Sequence, residues 1–417
     1  MIGIGRVGLP LALSFADCGV EVVGVDRDPA HVEVVNGGVI PFLEPGAEPL
    51  LKESLDLGTF SATTDSESAV ATSDVVVLTV GTPLDTTLRA DTSQLVSALT
   101  EVGSALRPGT LVITRSTISP GTTERIVVPT LEELSGLKAG TDLFVAFCPE
   151  RIAEGKAVEE LRELPEIIGG FDERSTTLAE SVFRMLSPEK LIHRTDPRSA
   201  ELAKLFTNVY RYVNFALANE YALISEHYER DAHDIIRMLR TGYDRAPVPL
   251  PGPAVGPCLT KDGYFLIEEL TFPDFVLTAW KLNDSVPAHL VQRLQTAIKR
   301  NGISMSDTKI AVLGRAFKAD IDDDRLSPAV RVAELLERLG ARVVVHDPYL
   351  CDVPLDEALR GAHGVVLATN HSMYYKLDLT RLAELVDPDC VLIDAWGVFD
   401  PGAAHELGLE LNTFGRG

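Results

Sequence analysis

Short apolar runs recur through the first 190 residues, at Val20–Val25, Val75–Val80, Leu111–Thr114 and Leu143–Phe147, separated by stretches of helical periodicity. Continuous β-branched runs without polar alternation predict strands buried on both faces of a parallel sheet. From Asp196 the pattern changes. Pro197-Arg198-Ser199 opens a segment that reaches Ala232 without Gly or further Pro and is apolar on several faces. It predicts one long helix that must be buried, in a domain core or a subunit interface. Ala246–Gly256 reads as a Pro/Gly loop, followed by helical pattern through Arg300. Lys309–Leu313, Ala341–His346, Gly364–Ala368 and Val391–Ile393 predict a second set of strands, with a helix near Ala329–Leu339. The expected class is α/β, with two Rossmann-like parallel-sheet domains joined by a long central helix and a helical domain. The expected boundaries are residues 1–196, 197–300 and 301–417.

Composition supports a folded chain and narrows its partners. The 417 residues are 45% hydrophobic and 24% charged, at globular averages. Sixty-one acidic against 38 basic residues leave a net charge of −23, which repels phosphate backbones and anionic lipid. Nucleic-acid and membrane binding are not expected, and an anionic ligand would need a local positive site. Cys18, Cys148, Cys258, Cys351 and Cys390 are scattered and odd in number, which argues against a disulfide framework or a metal cluster. The start carries no signal-peptide pattern and no later run approaches a membrane span, so a cytoplasmic protein is expected.

Gly3-Ile4-Gly5-Arg6-Val7-Gly8 opens a helix-like stretch, and Asp26 closes the next apolar run 18 residues after Gly8. The first glycine of such a motif allows the tight turn, the second lets backbone approach a pyrophosphate, and the third packs helix on strand. An acidic side chain at that distance accepts from ribose hydroxyls and repels a 2′-phosphate, so NAD is the expected cofactor rather than NADP. Only Met1 and Ile2 precede Gly3, so the first strand is expected to be nearly missing and completed by Gly3–Gly5.

Four further stretches place small polar or ionisable residues where a core has no use for them. They are Val80-Gly81-Thr82-Pro83, Ser116-Thr117 with the following ISPGTT, Cys148-Pro149-Glu150-Arg151, and the loop from Pro251 through Cys258 to Lys261-Asp262. The first three follow predicted strands, and ligands of open α/β sheets bind beyond strand carboxyl ends; ordinary turn chemistry is the competing reading. Lys204, Asn208 and Arg211 fall on one face of the long helix, facing either solvent or a ligand. Cys258 is either an inert thiol or, beside Lys261 and Asp262, a nucleophile.

Taken together, GIGRVGLP, VGTPL, STISPGTT, CPER, AELAKLFTN, PGPAVGPCLTKD and GRAFKADIDDDRLSP resemble the UDP-glucose/GDP-mannose dehydrogenase family across nearly the whole chain, in order. The resemblance implies two NAD-dependent oxidations at C6 of a nucleotide sugar, from alcohol to carboxylate, in a homodimer formed through the central helix. It implies Cys258 as the nucleophile of a thiohemiacetal and then a thioester. Lys204 and Asn208 would stabilise the oxyanion, Asp262 and Thr117 orient water, and Glu150 act as general base. The cofactor would meet Gly3, Gly5, Arg6, Val7, Gly8, Asp26, Thr82, Ser116, Thr117, Lys261 and Arg325. The sugar and its diphosphate would meet Glu150, Arg151, Lys204, Asn208, Arg211, Gly252, Gly256, Phe317 and Lys318, and no metal is implied.

Three positions depart from the family pattern. The run Val255-Gly256-Pro257-Cys258 is one glycine short, although Gly256 can still take a positive φ; Arg315 replaces a common leucine, and Tyr212 a common acidic residue. Arg151 after Glu150 resembles members acting on UDP-N-acetylhexosamines, and a guanidinium there offers donors to an acetamido group or a diphosphate. UDP-glucose oxidation, a two-electron β-hydroxyacid dehydrogenase and a non-catalytic nucleotide-sugar-binding homologue are the alternatives.

Overall fold

The computed structural model describes residues 1–253 and 256–417, and the chain divides into two compact units. The first comprises Met1–Thr207 with Lys261–Leu270, and the second Asn208–Thr260 with Thr271–Gly417.

In the first unit β1 (Val22–Val25) pairs with β2 (Phe60–Thr63), and β3 (Val75–Leu78), β4 (Leu111–Thr114), β5 (Phe144–Phe147), β6 (Glu166–Gly170) and β7 (Ile192–Thr195) follow in order. All pairings are parallel except β5 with β6. The first strand is reduced to one residue. Ile2 bridges both Val25 and Leu78, donating to Val77 O at 2.8 Å and accepting from Thr79 N at 2.9 Å. It therefore fills the place between β1 and β3, while Gly3 already turns away at φ 88° and does not extend the strand as expected. The strands LVIT of β4 and FVAF of β5 are buried at every position, as sheets covered on both faces require.

The second unit carries β8 (Lys309–Leu313), β9 (Arg342–His346), β10 (Gly364–Leu367), β11 (Val391–Asp394) and β12 (Glu410–Thr413), all parallel, in the order β12-β11-β10-β8-β9. Its residues alternate between two cores, as a pleated strand dictates. Ile310, Val312, Val366 and Ile393 pack with Leu290 and Leu294 of helix Asp274–Arg300, whereas Ala311, Leu313, Val365 and Leu392 face Tyr374 and Leu382. Helix Pro328–Arg338 starts on Ser327, whose hydroxyl accepts from Ala329 N, with Pro328 in the first turn where its missing N–H costs nothing.

The long helix runs from Pro197 to His227. It is less buried than its composition predicts, because Phe206, Tyr210, Leu217 and Ile224 are each 40% or more exposed in the single chain. Among the described residues no helix is long and apolar enough to cross a membrane.

Candidate functional site

The three glycines of the opening turn differ in what they provide. Gly3 takes the left-handed conformation that the turn needs. A Cβ on Gly8 would lie 1.9 Å from Gly3 O and 2.5 Å from the Thr79 hydroxyl, so this position needs glycine for helix–strand packing. A Cβ on Gly5 would meet nothing within 4 Å, which leaves open space over the backbone at the start of helix Gly8–Asp17. Val7 occupies that helix's N-cap position, and the Arg6 guanidinium lies over the Phe42 ring. Asp26 follows β1, accepting from Ile4 N at 3.3 Å and Asp28 N at 3.1 Å, and is half-buried. Open backbone, a helix N-terminus and an aimed carboxylate together fit a dinucleotide.

At the ends of β3 and β4, Ser116 donates to Val80 O at 2.6 Å and Thr82 donates to Thr117 O at 2.6 Å. Lys261 reaches the same Thr82 hydroxyl at 3.4 Å, pairs with Asp262 at 3.2 Å and lies over the Phe265 ring. Four of the expected positions, Thr82, Thr117, Lys261 and Asp262, are thus assembled in the first unit, with Asp262 fully buried. Cys258 is exposed one helical turn before Asp262, and Pro257 starts that helix, so the proline of the shortened loop occupies a first-turn position it suits.

The ISPGTT turn is fastened by a residue that motif reading passed over. Glu201 on the long helix is buried and accepts from Gly121 N, Thr123 N at 2.9 Å and Thr123 Oγ1 at 2.6 Å. Burial pushes its carboxyl up, against the pull of those hydrogen bonds. Its signal in the sequence was an acidic residue in an apolar helix segment. Three residues on, Lys204 is 9% exposed and makes no hydrogen bond or ion pair with the described residues. A largely buried lysine with no partner among the described residues suits an anionic ligand or a developing oxyanion. Asn208, one turn later, is also buried, whereas Arg211 is exposed.

Glu150 follows β5 and accepts two N–H groups from Arg115, another residue that motif reading passed over; a lone base closing an apolar strand was its signal. The Arg151 guanidinium donates through Nη2 to Pro165 O, and its backbone N–H donates to Glu150 Oε1.

In the second unit, Gly252 N donates to Asn219 Oδ1 at 2.9 Å, Asn219 Nδ2 to Asn283 Oδ1 at 3.0 Å, and Asn283 Nδ2 to Tyr212 O at 3.1 Å. This buried amide chain pins Gly252; Ala254 and Val255 of the expected Pro251–Gly256 loop lie outside the described residues. Tyr212 is buried edge-on against Trp280, with centroids 4.2 Å apart, which accounts for an aromatic residue there. Gly256 is needed for space rather than for a positive φ, because a Cβ would come within 2.7 Å of the Phe317 ring. Gly252 is confined likewise by Trp396 at 2.6 Å. Lys318 is half-buried, Arg325 pairs with Asp323 two residues before it, and Arg315 pairs with Asp324 at 2.6 Å. Among the described residues, no group of three or more His, Cys, Asp or Glu is placed to hold a metal ion.

The chain matches the NAD-binding domain of the UDP-glucose/GDP-mannose dehydrogenase family over residues 1–187, its central domain over 198–286 and its UDP-binding domain over 311–401. It is 37% identical to the UDP-N-acetyl-D-mannosamine dehydrogenase of Pyrococcus horikoshii over 376 residues, 89% of this chain and 88% of that one. The chain belongs to the UDP-glucose/GDP-mannose dehydrogenase family. It is an NAD-dependent nucleotide-sugar dehydrogenase, which sets aside the β-hydroxyacid alternative. The solved structure of UDP-D-ManNAc dehydrogenase from Pyrococcus horikoshii superposes with a TM-score of 0.94 at 34% identity, covering 100% of this chain and 98% of that one. A UDP-glucose dehydrogenase from Pyrobaculum islandicum also superposes, with a TM-score of 0.88 at 30% identity over 100% and 96% of the two chains. The fold is therefore common to enzymes named for different sugars.

Proposed function

We propose that this dehydrogenase oxidises C6 of a UDP-N-acetylhexosamine to the uronic acid, with UDP-N-acetylmannosamine the first substrate to try. What carries this reading is the likeness to the Pyrococcus horikoshii enzyme named for that sugar, which extends over 89% of the chain. Asp26 would hold the ribose of NAD and the Gly3–Gly8 turn its pyrophosphate, and the cofactor would supply the hydride acceptor for both oxidations. The Cys258 thiolate adds to C6 of the intermediate aldehyde, giving a thiohemiacetal whose oxidation yields a thioester. Water then cleaves the C–S bond, returning the thiol and releasing the carboxylate. Lys204 and Asn208 stabilise the oxygen that becomes anionic at C6. Thr117 and Asp262 orient the water, and Glu150 takes up its proton. Arg151 acts on sugar choice by setting the shape of its loop through Pro165. The exposed Phe206, Tyr210, Leu217 and Ile224 of the long helix are the surface of a homodimer in this reading.

A panel of UDP- and GDP-sugars with NAD, followed by NADH absorbance, tests the assignment. UDP-N-acetylmannosamine or UDP-N-acetylglucosamine should be oxidised faster than UDP-glucose, and Arg151→Ala should narrow the difference. Turnover of UDP-glucose with neither N-acetylated sugar oxidised would overturn the choice of sugar.

A further inference from the structure

At the carboxyl end of β4, the Arg115 guanidinium is 3% exposed and joins two carboxylates that arrive on different strands. Its Nε and Nη2 donate to Glu150 Oε2 at 3.1 and 2.6 Å, and its Nη1 to Glu166 Oε1 at 3.1 Å. The Phe183 ring lies against the guanidinium, 4.8 Å from its centre, and holds its plane. Glu150 Oε1 meanwhile accepts from the backbone N–H of Arg151 at 2.7 Å and of Ile152 at 3.1 Å. Both carboxylate oxygens are thus held, one by the guanidinium and one by the backbone. We propose that Arg115 is a positioning residue for Glu150, fixing both the orientation and the charge of the carboxylate that serves thioester hydrolysis. The proposal rests on the role given to Glu150 above.

The surroundings make this control effective. The Arg115 and Glu150 side chains are only 2% and 11% exposed, so bulk solvent screens the pair weakly. Besides Arg115, the titratable and charged groups facing Glu150 and its partner are Glu166 on β6, Lys190, the buried Cys148 thiol, Arg151 and Glu160. Lys190 directs its ammonium to Leu161 O at 2.6 Å, and Glu160 accepts from Ala153 N at 2.6 Å, so neither replaces Arg115 on Glu150. Burial raises the Glu150 carboxyl, but the Arg115 charge and hydrogen bonds, with the two backbone N–H groups, hold it below the ordinary range. Glu166 goes the other way, raised by burial and by the Glu150 charge against the pull of Arg115. One guanidinium thus keeps the first carboxylate ionised in the presence of a second.

The test is the pH profile of kcat for carboxylate formation by the full-length enzyme with NAD and its nucleotide sugar. Removing the cation leaves Glu150 beside Glu166, so the acid limb of Arg115→Ala should move to higher pH by about one unit or more. The nucleotide-sugar KM should stay within about threefold, because Arg115 is not proposed to touch substrate. Arg115→Lys, which keeps a charge but not the paired contact, should fall between wild type and Arg115→Ala, and it carries the test alone if Arg115→Ala does not fold. Loss of kcat at every pH with an unmoved acid limb, or an unchanged kcat, would overturn the positioning role. Glu150→Gln separates this from the parent reading. If that variant hydrolyses the thioester at the wild-type rate, the role of Glu150 itself fails; if it is inactive while the Arg115 variants behave as wild type, only the Arg115 proposal fails.

Discussion

Both parallel sheets place a left-handed glycine after their first strand and an aspartate after their second, and the two aspartates have opposite fates. In the first unit Gly3 has φ 88° and Asp26 follows β1; in the second Gly314 has φ 89° and Asp347 follows β9. Asp26 is half-buried and receives two backbone N–H groups, at 3.1 Å or more. Asp347 is fully buried and receives five donors: the N–H groups of Arg315, Ala316, Tyr349 and Leu350, between 2.6 and 3.1 Å, and His371 Nε2 at 3.0 Å. The His371 ring is held from its other side by Asp320 N, 2.9 Å from Nδ1. The position after the second strand therefore holds a carboxylate with spare acceptor capacity in one sheet and an internal fastener of the Gly314–Asp320 turn in the other. A glycine followed by a spaced aspartate becomes a dinucleotide signal only where the aspartate is left with acceptor capacity.

This contrast sets the sizes of the expected effects. Asp347→Ala should have the largest, since it strands several buried donors at a cost of roughly 3 kcal/mol or more. Differential scanning calorimetry should show the second unit melting lower by roughly 6–12 °C, while the first-unit transition stays in place. Equal melting of Asp347→Ala and Asp26→Ala would break the comparison. Asp26→Ala should leave melting nearly unchanged and lower kcat/KM for NAD by about 10- to 100-fold, the worth of hydrogen bonds to a charged acceptor. Wild type should favour NAD over NADP, and the variant should lose most of that preference. Gly5→Ala should keep the fold and weaken NAD binding, whereas Gly8→Ala should impair folding, because only the second Cβ meets backbone. Expression yield and NAD titration distinguish the two.

Acidification should produce the smallest and most gradual effect. Burial raises the Asp347 carboxyl, but His371 and the N–H groups of Tyr349, Ala316 and Arg315 bring it well below the ordinary carboxylate range. A depressed folded-state value contributes stability that is complete above the unfolded value near ~4 and disappears as pH falls through the folded one. The second unit should therefore lose stability progressively below about pH 4, and Asp347→Asn should flatten that part of the curve. A melting curve for Asp347→Asn with the wild-type pH dependence would remove Asp347 as its cause.

The central strands were legible in the sequence, as was the apolar edge strand Arg342–His346, and the remaining edges were not. Runs such as Leu111–Thr114 and Lys309–Leu313 coincide with their strands because burial on both faces demands unbroken apolar residues. Phe60–Thr63, Ile192–Thr195 and Glu410–Thr413 each lie at a sheet edge, where FSAT alternates buried with exposed, IHRT has no buried position and ELNT has one, so no apolar run is left to read. Glu166–Gly170 escaped for another reason: its two glycines look like a turn, yet they make room for Pro197 and Thr176. Site residues followed the same logic. Gly3, Gly5, Gly8 and Asp26 could be singled out because their spacing is local. Arg115, Glu201 and Asn219 were not, because each acts on a partner 35 to 80 positions away, or in the case of Asn219 on a loop 33 positions away.

The central claim is a four-electron oxidation that depends on Cys258, and the most direct measurement is the number of NADH formed per uronate released from UDP-N-acetylmannosamine. The account predicts two NADH per carboxylate for the wild type, and no net acid from Cys258→Ser although that variant still binds the nucleotide sugar. One NADH per sugar with an aldehyde or ketone as product, or undiminished acid formation by Cys258→Ser, would contradict it.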